Sequence, residues 1–171
     1  MKRLLVDVNV LLDAALVRSP HSESAVKIWA VVEGGRVAGY VPAHGVTTLF
    51  YLLARARGAV AARRAIGDLL SVFKVAAVDH AVIQRALTLS WKDFEDAVCA
   101  AAAEAAGCDL IVTRDPLGFK GSPVPSVDPA TAWALFAPGE GPGRVAEPVH
   151  GRYAAKRRPG RRRGARPSNR V

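Results

Sequence analysis

Short apolar runs alternate with longer amphipathic segments along the first 136 residues of this 171-residue chain. A nearly continuous apolar run predicts a strand that is buried on both faces, whereas apolar residues three and four positions apart predict a helix with one buried face. The runs predict strands at residues 3–7, 38–41, 73–78 and 110–113, with a fifth candidate at 124–127. The helical spacing predicts helices at residues 8–17, 22–33, 45–57, 60–72, 80–89, 94–106 and 129–136.

Strands that alternate with helices favour a parallel sheet, because parallel neighbours must be joined by crossover connections. The predicted fold class is therefore α/β: a three-layer α/β/α sandwich with a central parallel sheet of four or five strands. Ligands of such sheets bind beyond the carboxyl ends of the strands. This rule directs attention to Asp7, which follows the first predicted strand, and to Asp115, two residues after the fourth.

The sequence changes character after residue 137, where Gly, Pro and Arg replace the periodic apolar residues. We expect a folded domain at residues 1–137 and a disordered, Gly/Pro/Arg-rich basic tail at 138–171. Residues 144–171 contain ten of the 24 Lys and Arg and one of the 15 Asp and Glu, which leaves fourteen of each sign elsewhere. The net charge of +9 therefore belongs to the tail, and the folded part gives no electrostatic indication of nucleic-acid binding.

Clustered arginine and lysine side chains in the tail are typical of phosphate binding, through bidentate hydrogen bonds and counterion release. RNA is the expected partner, and the candidate contacts are Lys156, Arg157, Arg158, Arg161, Arg162 and Arg163. A solvated extension with no binding role is an equally open interpretation.

Membrane association is not expected, because charged and polar residues interrupt every apolar run before it reaches the about 20 residues that a membrane span needs. Asp7 likewise interrupts the apolar segment after Arg3, which would otherwise resemble a secretory signal. We therefore expect a cytoplasmic protein. Cys99 and Cys108 lie in or beside an alanine-rich segment, which suits small buried side chains better than a disulfide or a metal pair.

Four acidic residues are candidates for chemistry: Asp7, Asp93, Asp96 and Asp115. Asp93 also fits a helix N-cap with Asp96 as its capping-box-like partner, and Asp115 before a proline also fits a turn. Asp7 has no such simple structural explanation. A carboxylate directly after an apolar strand is expected to be half-buried, and it then needs a cation or a raised pKa.

The predicted fold brings Asp7, Asp96 and Asp115 to one rim of the sheet. Three carboxylates there would repel one another unless a divalent cation lay between them. Oxygen ligands select Mg²⁺ or Mn²⁺ over zinc, and the sequence offers no cluster of Cys and His for a softer metal. Such an ion activates water for attack on a phosphodiester, so nuclease chemistry is the predicted reaction class.

Three segments carry a resemblance to a known family, in the family's order and at similar spacing. They are LLVDVNVLLD at residues 4–13, WKDFEDAV at 91–98, and IVTRD at 111–115, the last followed by GFK at 118–120. Together they resemble the PIN-domain family and its VapC-like toxin ribonucleases over roughly residues 1–136.

The resemblance implies a small α/β/α sandwich, Mg²⁺ or Mn²⁺ dependence, RNA cleavage, and commonly a homodimer that is neutralised by a small antitoxin protein. Carried over by position, it implies these roles: metal-binding acids Asp7, Asp96 and Asp115, accessory acid Asp93, pocket hydroxyl Thr113, and Asn9 as a polar residue that supports the first acid.

Two positions depart from the family's pattern. Thr48 lies where the family usually has an acid on the helix after the second strand, and Gly118 lies where many members have Asp. Metal affinity is expected to fall with each lost carboxylate. His44 is close to the gap and could compensate as a ligand or a base, although a His at a helix start is more often a surface or capping residue.

The sequence thus predicts a metal-dependent endoribonuclease, the toxin of a toxin–antitoxin pair, with RNA, an antitoxin and a second copy of the chain as partners. The alternative is a catalytically weakened PIN-like module that acts by binding RNA or a partner, and Thr48 and Gly118 favour it. A phosphatase with a nucleophilic DxD motif after the first strand is disfavoured, because Asn9 occupies the second acidic position.

Overall fold

The computed structural model describes residues 1–137 of the chain. The boundary predicted after residue 137 and the basic tail predicted at 138–171 concern residues outside this part. The six Lys and Arg predicted to contact RNA, at positions 156–158 and 161–163, also lie outside the described residues. These expectations stay predictions.

Five strands and seven helices alternate in the described residues. The strands are β1 (Arg3–Val6), β2 (Ala38–Pro42), β3 (Lys74–Ala76), β4 (Leu110–Val112) and β5 (Ser126–Val127). The helices are α1 (Val8–Leu16), α2 (Ser22–Glu33), α3 (Ala43–Arg57), α4 (Ala59–Val72), α5 (His80–Leu89), α6 (Phe94–Ala105) and α7 (Pro129–Phe136). Every predicted element is present.

All strand pairs are parallel, and the strand order is β3-β2-β1-β4-β5. In chain order, β2 pairs with β1 and β3 pairs with β2, and β4 then pairs with the other side of β1. The order therefore reverses between β1 and β4, and the carboxyl ends of these two strands flank the crevice where open α/β sheets bind ligands. The predicted α/β fold with a covered parallel sheet is confirmed.

Each face of the sheet has its own apolar core, because successive side chains of a strand point to opposite faces. Leu4 and Val6 contribute to a core shared with α1, α2, α3, α4 and α7, while Leu5 packs with Ile111 in a second core formed mainly by α5 and α6. All four side chains are fully buried. The result is three layers, with the sheet in the middle.

Gly39 shows how closely one of these layers approaches the sheet. A Cβ atom added there would lie 2.5 Å from the side chain of Val32 and 2.6 Å from that of Phe73. Any other residue in this position of β2 would force α2 and Phe73 away from the strand.

The third strand is shorter than the sequence pattern predicts. Residues 73–78 are apolar apart from Lys74, yet only Lys74–Ala76 pairs with β2. Phe73 is instead buried as the residue that ends α4, and Val75 is 45% exposed. As β3 is an edge strand, its pairing partner on one side alone decides its length.

Among residues 1–137, no helix combines the length and apolarity required to cross a membrane.

Candidate active site

Asp7 leaves β1 and begins α1, and its position follows from both elements. Its backbone N–H donates to the carbonyl of Val112, which extends the pairing of β1 with β4 by one residue. Its backbone is extended at the N-cap of α1, but its side chain makes no cap hydrogen bond. The carboxylate instead accepts a hydrogen bond from the hydroxyl of Thr113 at 3.0 Å. Asp7 therefore faces the crevice between the two strands.

Thr113 connects two of the predicted acids. Its side chain is almost fully buried (1% exposed) directly after β4. The hydroxyl donates its single hydrogen to Asp7 Oδ2 and accepts a hydrogen bond from the backbone N–H of Asp115 at 3.2 Å. One buried hydroxyl thus fixes the ends of β1 and β4 relative to each other.

Asp115 begins a tight turn, as the alternative interpretation of its sequence predicts, and it also faces the other acids. Its Oδ1 accepts a hydrogen bond from the backbone N–H of Gly118 at 3.1 Å. A Cβ atom on Gly118 would lie 2.9 Å from Asp115 Oδ2 and 3.3 Å from Asp96 Oδ2. The glycine therefore keeps open the space between these two carboxylates.

Asp93 is the N-cap of α6, as the capping interpretation predicts. Its Oδ1 accepts hydrogen bonds from the backbone N–H groups of Glu95 at 2.9 Å and Asp96 at 3.2 Å. These bonds satisfy donors that the first turn of a helix otherwise leaves unpaired. The cap fixes the start of α6 and with it the direction in which Asp96 leaves the helix.

An aromatic pair joins the segment before α6 to the turn after β4. The rings of Trp91 and Phe119 are in edge-to-face contact, with centroids 5.9 Å apart. Phe119 is buried (3% exposed) in the core beneath α6. The pair anchors the loop that leads into α6, the helix of Asp96, to the turn that begins at Asp115, because each ring belongs to one of these two segments.

The predicted site residues meet in one cleft, which we call the acidic cleft. It has a volume of about 470 Å³, and six of the residues that line it are Asp7, Asn9, Asp93, Asp96, Thr113 and Asp115. Thr48 lies apart from this set, in an adjoining inner cavity of about 170 Å³ that Asp7 and Asp96 also line. The acids thus face a common space rather than separate surfaces.

The electrostatics of the acidic cleft reflect the crowding of carboxylates. The pKa of Asp96 is raised from 3.8 to about 6, first by burial and then by the negative charges of Asp93, Asp7 and Asp115. The pKa of Asp7 is also raised, because burial outweighs the opposing hydrogen bond from Thr113. Both carboxylates are thus held in an environment that disfavours negative charge, which a bound cation would reverse.

The inner cavity contains a polar set around the position where the family pattern has an acid. Thr48 donates its hydroxyl to the carbonyl of His44, within its own helix, at 3.4 Å. The His44 ring lies 4.0 Å from Glu95, and its pKa is lowered because burial outweighs the attraction of Glu95 and Asp7. Glu95 also lines this cavity and was not among the sequence candidates; its place between Asp93 and Asp96 was the available indication.

Asp13 and Arg114 were also missed as functional candidates. Asp13 is fully buried on α1 and pairs with Arg114, whose side chain lines the acidic cleft. A single acid inside the apolar pattern of α1 was the available indication for Asp13, and the position of Arg114 between Thr113 and Asp115 was the indication for the arginine.

The donors of the acidic cleft fit a hard, hydrated divalent cation. They are carboxylate oxygens. Cys99, which lines the inner cavity, is a free, buried thiol, and burial raises its pKa well above the usual value, which disfavours the thiolate that a softer metal would bind. Within residues 1–137, no three His, Cys, Asp or Glu side chains already have the arrangement of a metal site. Mg²⁺ usually keeps several waters and contacts only one or two carboxylates, so the donor set suits it without a closed protein cage.

The fold and the cleft define a class of protein: open parallel α/β domains with carboxylates at the point where the strand order reverses. A sequence model of the PIN domain matches residues 3–116. The chain therefore belongs to the PIN domain family, whose members are generally nucleases. No curated protein sequence matches the chain.

Solved structures of toxin–antitoxin proteins share this fold. VapC20 of Mycobacterium tuberculosis, a toxin that cleaves the sarcin-ricin loop, is 18% identical with a TM-score of 0.57, over 70% of this chain and 95% of that one. FitAcB from Neisseria gonorrhoeae is 21% identical with a TM-score of 0.56, over 74% and 98%. DNA-bound VapBC from Salmonella typhimurium is 14% identical with a TM-score of 0.59, over 75% and 99%. At these identities the likeness concerns the fold.

Proposed function

We propose that the chain is a divalent-metal-dependent endoribonuclease and the toxin of a toxin–antitoxin pair. The observation that carries the proposal is the convergence of Asp7, Asp96 and Asp115 on one cleft, at the reversal point of the sheet, in a member of the PIN domain family. Carboxylates that come from three separate segments and crowd together, so that the charges of Asp7 and Asp115 add to the raised pKa of Asp96, have little structural benefit. They are useful where a cation is held.

Asp7, Asp96 and Asp115 are the residues that would hold Mg²⁺ or Mn²⁺, directly or through water, with Asp93 as an accessory acid and Asn9 beside Asp7. When bound, the ion supplies an activated water and neutralises negative charge that develops on the phosphate. The remaining work belongs to the protein. Thr113 fixes the carboxylate of Asp7, and the cap formed by Asp93 fixes the start of the helix that carries Asp96.

The partners we propose are RNA as substrate, a small antitoxin protein, and a second copy of the chain in a homodimer, for a protein that acts in the cytoplasm. The fold shared with toxin–antitoxin structures supports an antitoxin. The sarcin-ricin loop cleavage named for the mycobacterial structure supports RNA as the substrate class. The Lys and Arg of residues 156–158 and 161–163 remain proposed RNA contacts.

The experiment is a cleavage assay with purified full chain and a mixed RNA substrate. We expect cleavage with Mg²⁺ or Mn²⁺, loss of cleavage with EDTA, and a reduction of at least about 100-fold for Asp7→Asn. Glu33→Gln is the matched control, since it makes the same chemical change on an exposed residue at the far end of α2. Cleavage that survives both EDTA and Asp7→Asn would disprove the proposal.

A second candidate function is RNA or partner binding without efficient cleavage. It is favoured by one observation: α3 places a threonine, not an acid, in the inner cavity at position 48, so the helix contributes no carboxylate there. The hydroxyl of Thr48 is hydrogen-bonded to the carbonyl of His44 within the same helix. Thr48→Glu separates the two candidates in the same assay. Cleavage by the variant and none by the wild type supports the binding module, whereas cleavage by both supports the nuclease.

A further inference from the structure

A buried ion pair lies beside the acidic cleft, outside the set of residues used so far. Asp13, on α1, is fully buried (0% exposed). Arg114, between Thr113 and Asp115, donates from Nη1 to Asp13 Oδ1 at 3.3 Å, and the same nitrogen lies 3.2 Å from Oδ2. The two residues are 101 positions apart, so the pair connects α1 to the segment that carries Asp115.

The pair uses only part of the guanidinium. Within residues 1–137, Nη1 is the single nitrogen of Arg114 with a hydrogen-bond acceptor, and Oδ2 of Asp13 has no hydrogen-bond donor. A fork-to-fork pair would use two nitrogens. Here Nε and Nη2 are left with their donors available, and 34% of the side chain is exposed to solvent. Arg114 is thus held at one end and open at the other.

Stability alone is a poor explanation for this arrangement. Removing a carboxylate from water costs more than an imperfect pair returns, and apolar residues of similar size commonly serve a core as well or better. An anchored arginine, by contrast, has lost most of its rotamer freedom before a ligand arrives. The pair is therefore better explained as a contact by which Asp13 positions the guanidinium of Arg114 for a ligand.

Arg114 lies at a place where a cation is needed. Arg114 lines the acidic cleft together with Asp7, Asp96 and Asp115, and it is the only Arg or Lys among the described residues that do so. An RNA backbone that approaches four aspartates meets repulsion unless a positive group receives one of its phosphates. A planar guanidinium with two unused donor positions matches the oxygens of a phosphate.

We propose that Arg114 binds a phosphate of the RNA backbone at the acidic cleft, and that Asp13 is the positioning residue that holds the guanidinium there. The proposal rests on the proposed function, since it names a contact with that function's substrate. No metal takes part in the contact, so it can be measured as RNA binding in the absence of cleavage.

The test measures the affinity of the full chain for a fluorescein-labelled single-stranded RNA by anisotropy, in EDTA, and separately KM and kcat for cleavage. We expect Arg114→Ala to weaken binding about tenfold and to raise KM more than it lowers kcat. It should also reduce the slope of log affinity against log salt by about 0.7. Arg64→Ala removes an equal charge from an exposed position on α4 and should leave all of these values unchanged.

Asp13 is tested through Arg114. Asp13→Asn should weaken RNA binding in the wild-type background and add no further loss in an Arg114→Ala background, because both changes remove the same contact. Arg114→Lys should recover part of the affinity. Thermal melts identify variants that do not fold, and Arg114→Lys, which keeps the charge beside Asp13, then provides the comparison with wild type.

The outcomes distinguish this proposal from the proposed function. If the wild type binds RNA but does not cleave it, and Arg114→Ala reduces the binding, the nuclease assignment fails and the Arg114 contact is supported. If cleavage occurs but Arg114→Ala matches Arg64→Ala in affinity, KM and salt dependence, Arg114 has a structural role only and the present proposal is overturned. Wild-type protein that binds no RNA overturns it as well.

Discussion

The hydroxyl of Thr113 donates a hydrogen bond to Asp7 across 106 positions of sequence, at 3.0 Å. The same oxygen accepts the backbone N–H of Asp115. A buried hydroxyl has one hydrogen to donate and lone pairs to accept with, so both contacts can form at once. The geometry of two acids in the acidic cleft therefore depends on one side chain that carries no charge.

Thr113→Val tests this dependence. Valine keeps the shape of threonine but leaves the Asp115 N–H without its partner, and we expect the free energy of unfolding to fall by about 1–3 kcal/mol. RNA cleavage should fall by about tenfold or more, because Asp7 loses its orientation. Urea unfolding and the cleavage assay measure the two effects. Thr113→Ser, which retains the hydroxyl, is the control and should keep most of the activity.

Gly118→Ala should impair the site while leaving the fold intact. The new methyl group would lie 2.9 Å from Asp115 Oδ2 and 3.3 Å from Asp96 Oδ2, so at least one carboxylate must move away. We expect weaker Mn²⁺ binding by calorimetry, with a melting temperature close to that of the wild type. Gly67→Ala, where an added Cβ meets nothing within 4 Å, is the matched control. Equal Mn²⁺ affinity for the two variants would show that the space at Gly118 is not required.

The raised pKa of Asp96 predicts how stability varies with pH in metal-free protein. In the folded state the carboxyl group of Asp96 has a pKa of about 6, against an ordinary value of 3.8, so folding favours its protonated form. The stabilisation is therefore fully present below about pH 4 and is lost as the pH rises through about 6. Urea unfolding from pH 4 to 7 should show wild type losing stability relative to Asp96→Asn.

Metal binding should depend on pH in the opposite sense. A cation favours the ionised carboxylate, so Mn²⁺ affinity should increase between about pH 5 and 7. In the urea experiment, curves of stability against pH that run parallel for wild type and Asp96→Asn would contradict the raised pKa of Asp96. An Mn²⁺ affinity that does not vary with pH would show that Asp96 does not contribute to metal binding.

The contact of Phe119 with Trp91 predicts a large stability effect at some distance from the acids. Phe119→Ala removes a buried ring (3% exposed) and should cost about 3–5 kcal/mol in the free energy of unfolding. Leu117→Ala changes a neighbouring side chain that is 84% exposed, and it should cost less than about 0.5 kcal/mol. Urea unfolding compares the two, and similar losses would show that the aromatic pair does not anchor this turn.

Elements with a strong local pattern were predicted closely from the sequence. Helices α2, α5 and α7 have the predicted bounds, since caps and apolar spacing are properties of neighbouring residues. Strand β3 was predicted too long, because an apolar run does not reveal how far an edge strand finds a pairing partner. Helix α3 begins at Ala43, two residues before its predicted start, directly after β2 ends.

The candidate acids could be named from the sequence because each follows a strand or starts a helix, and their order resembles that of a known family. Their companions could not. The local indications for Glu95, Asp13 and Arg114 do not specify a partner, and their contacts join segments that are remote in the chain. The opening that Gly118 leaves between two carboxylates is likewise visible only when both are in place.

By itself the sequence determined the alternation of strands and helices, the parallel class of the sheet and the acids at its rim, because these follow from periodicity and from residues next to one another. Only the tertiary structure decided that the strand order reverses between β1 and β4, that Thr113 joins Asp7 to Asp115, and that Asp13 holds Arg114 at the cleft. The physical reason is that hydrogen bonds, burial and charge act through space. A chain pattern specifies which groups are available, and packing selects which of them meet.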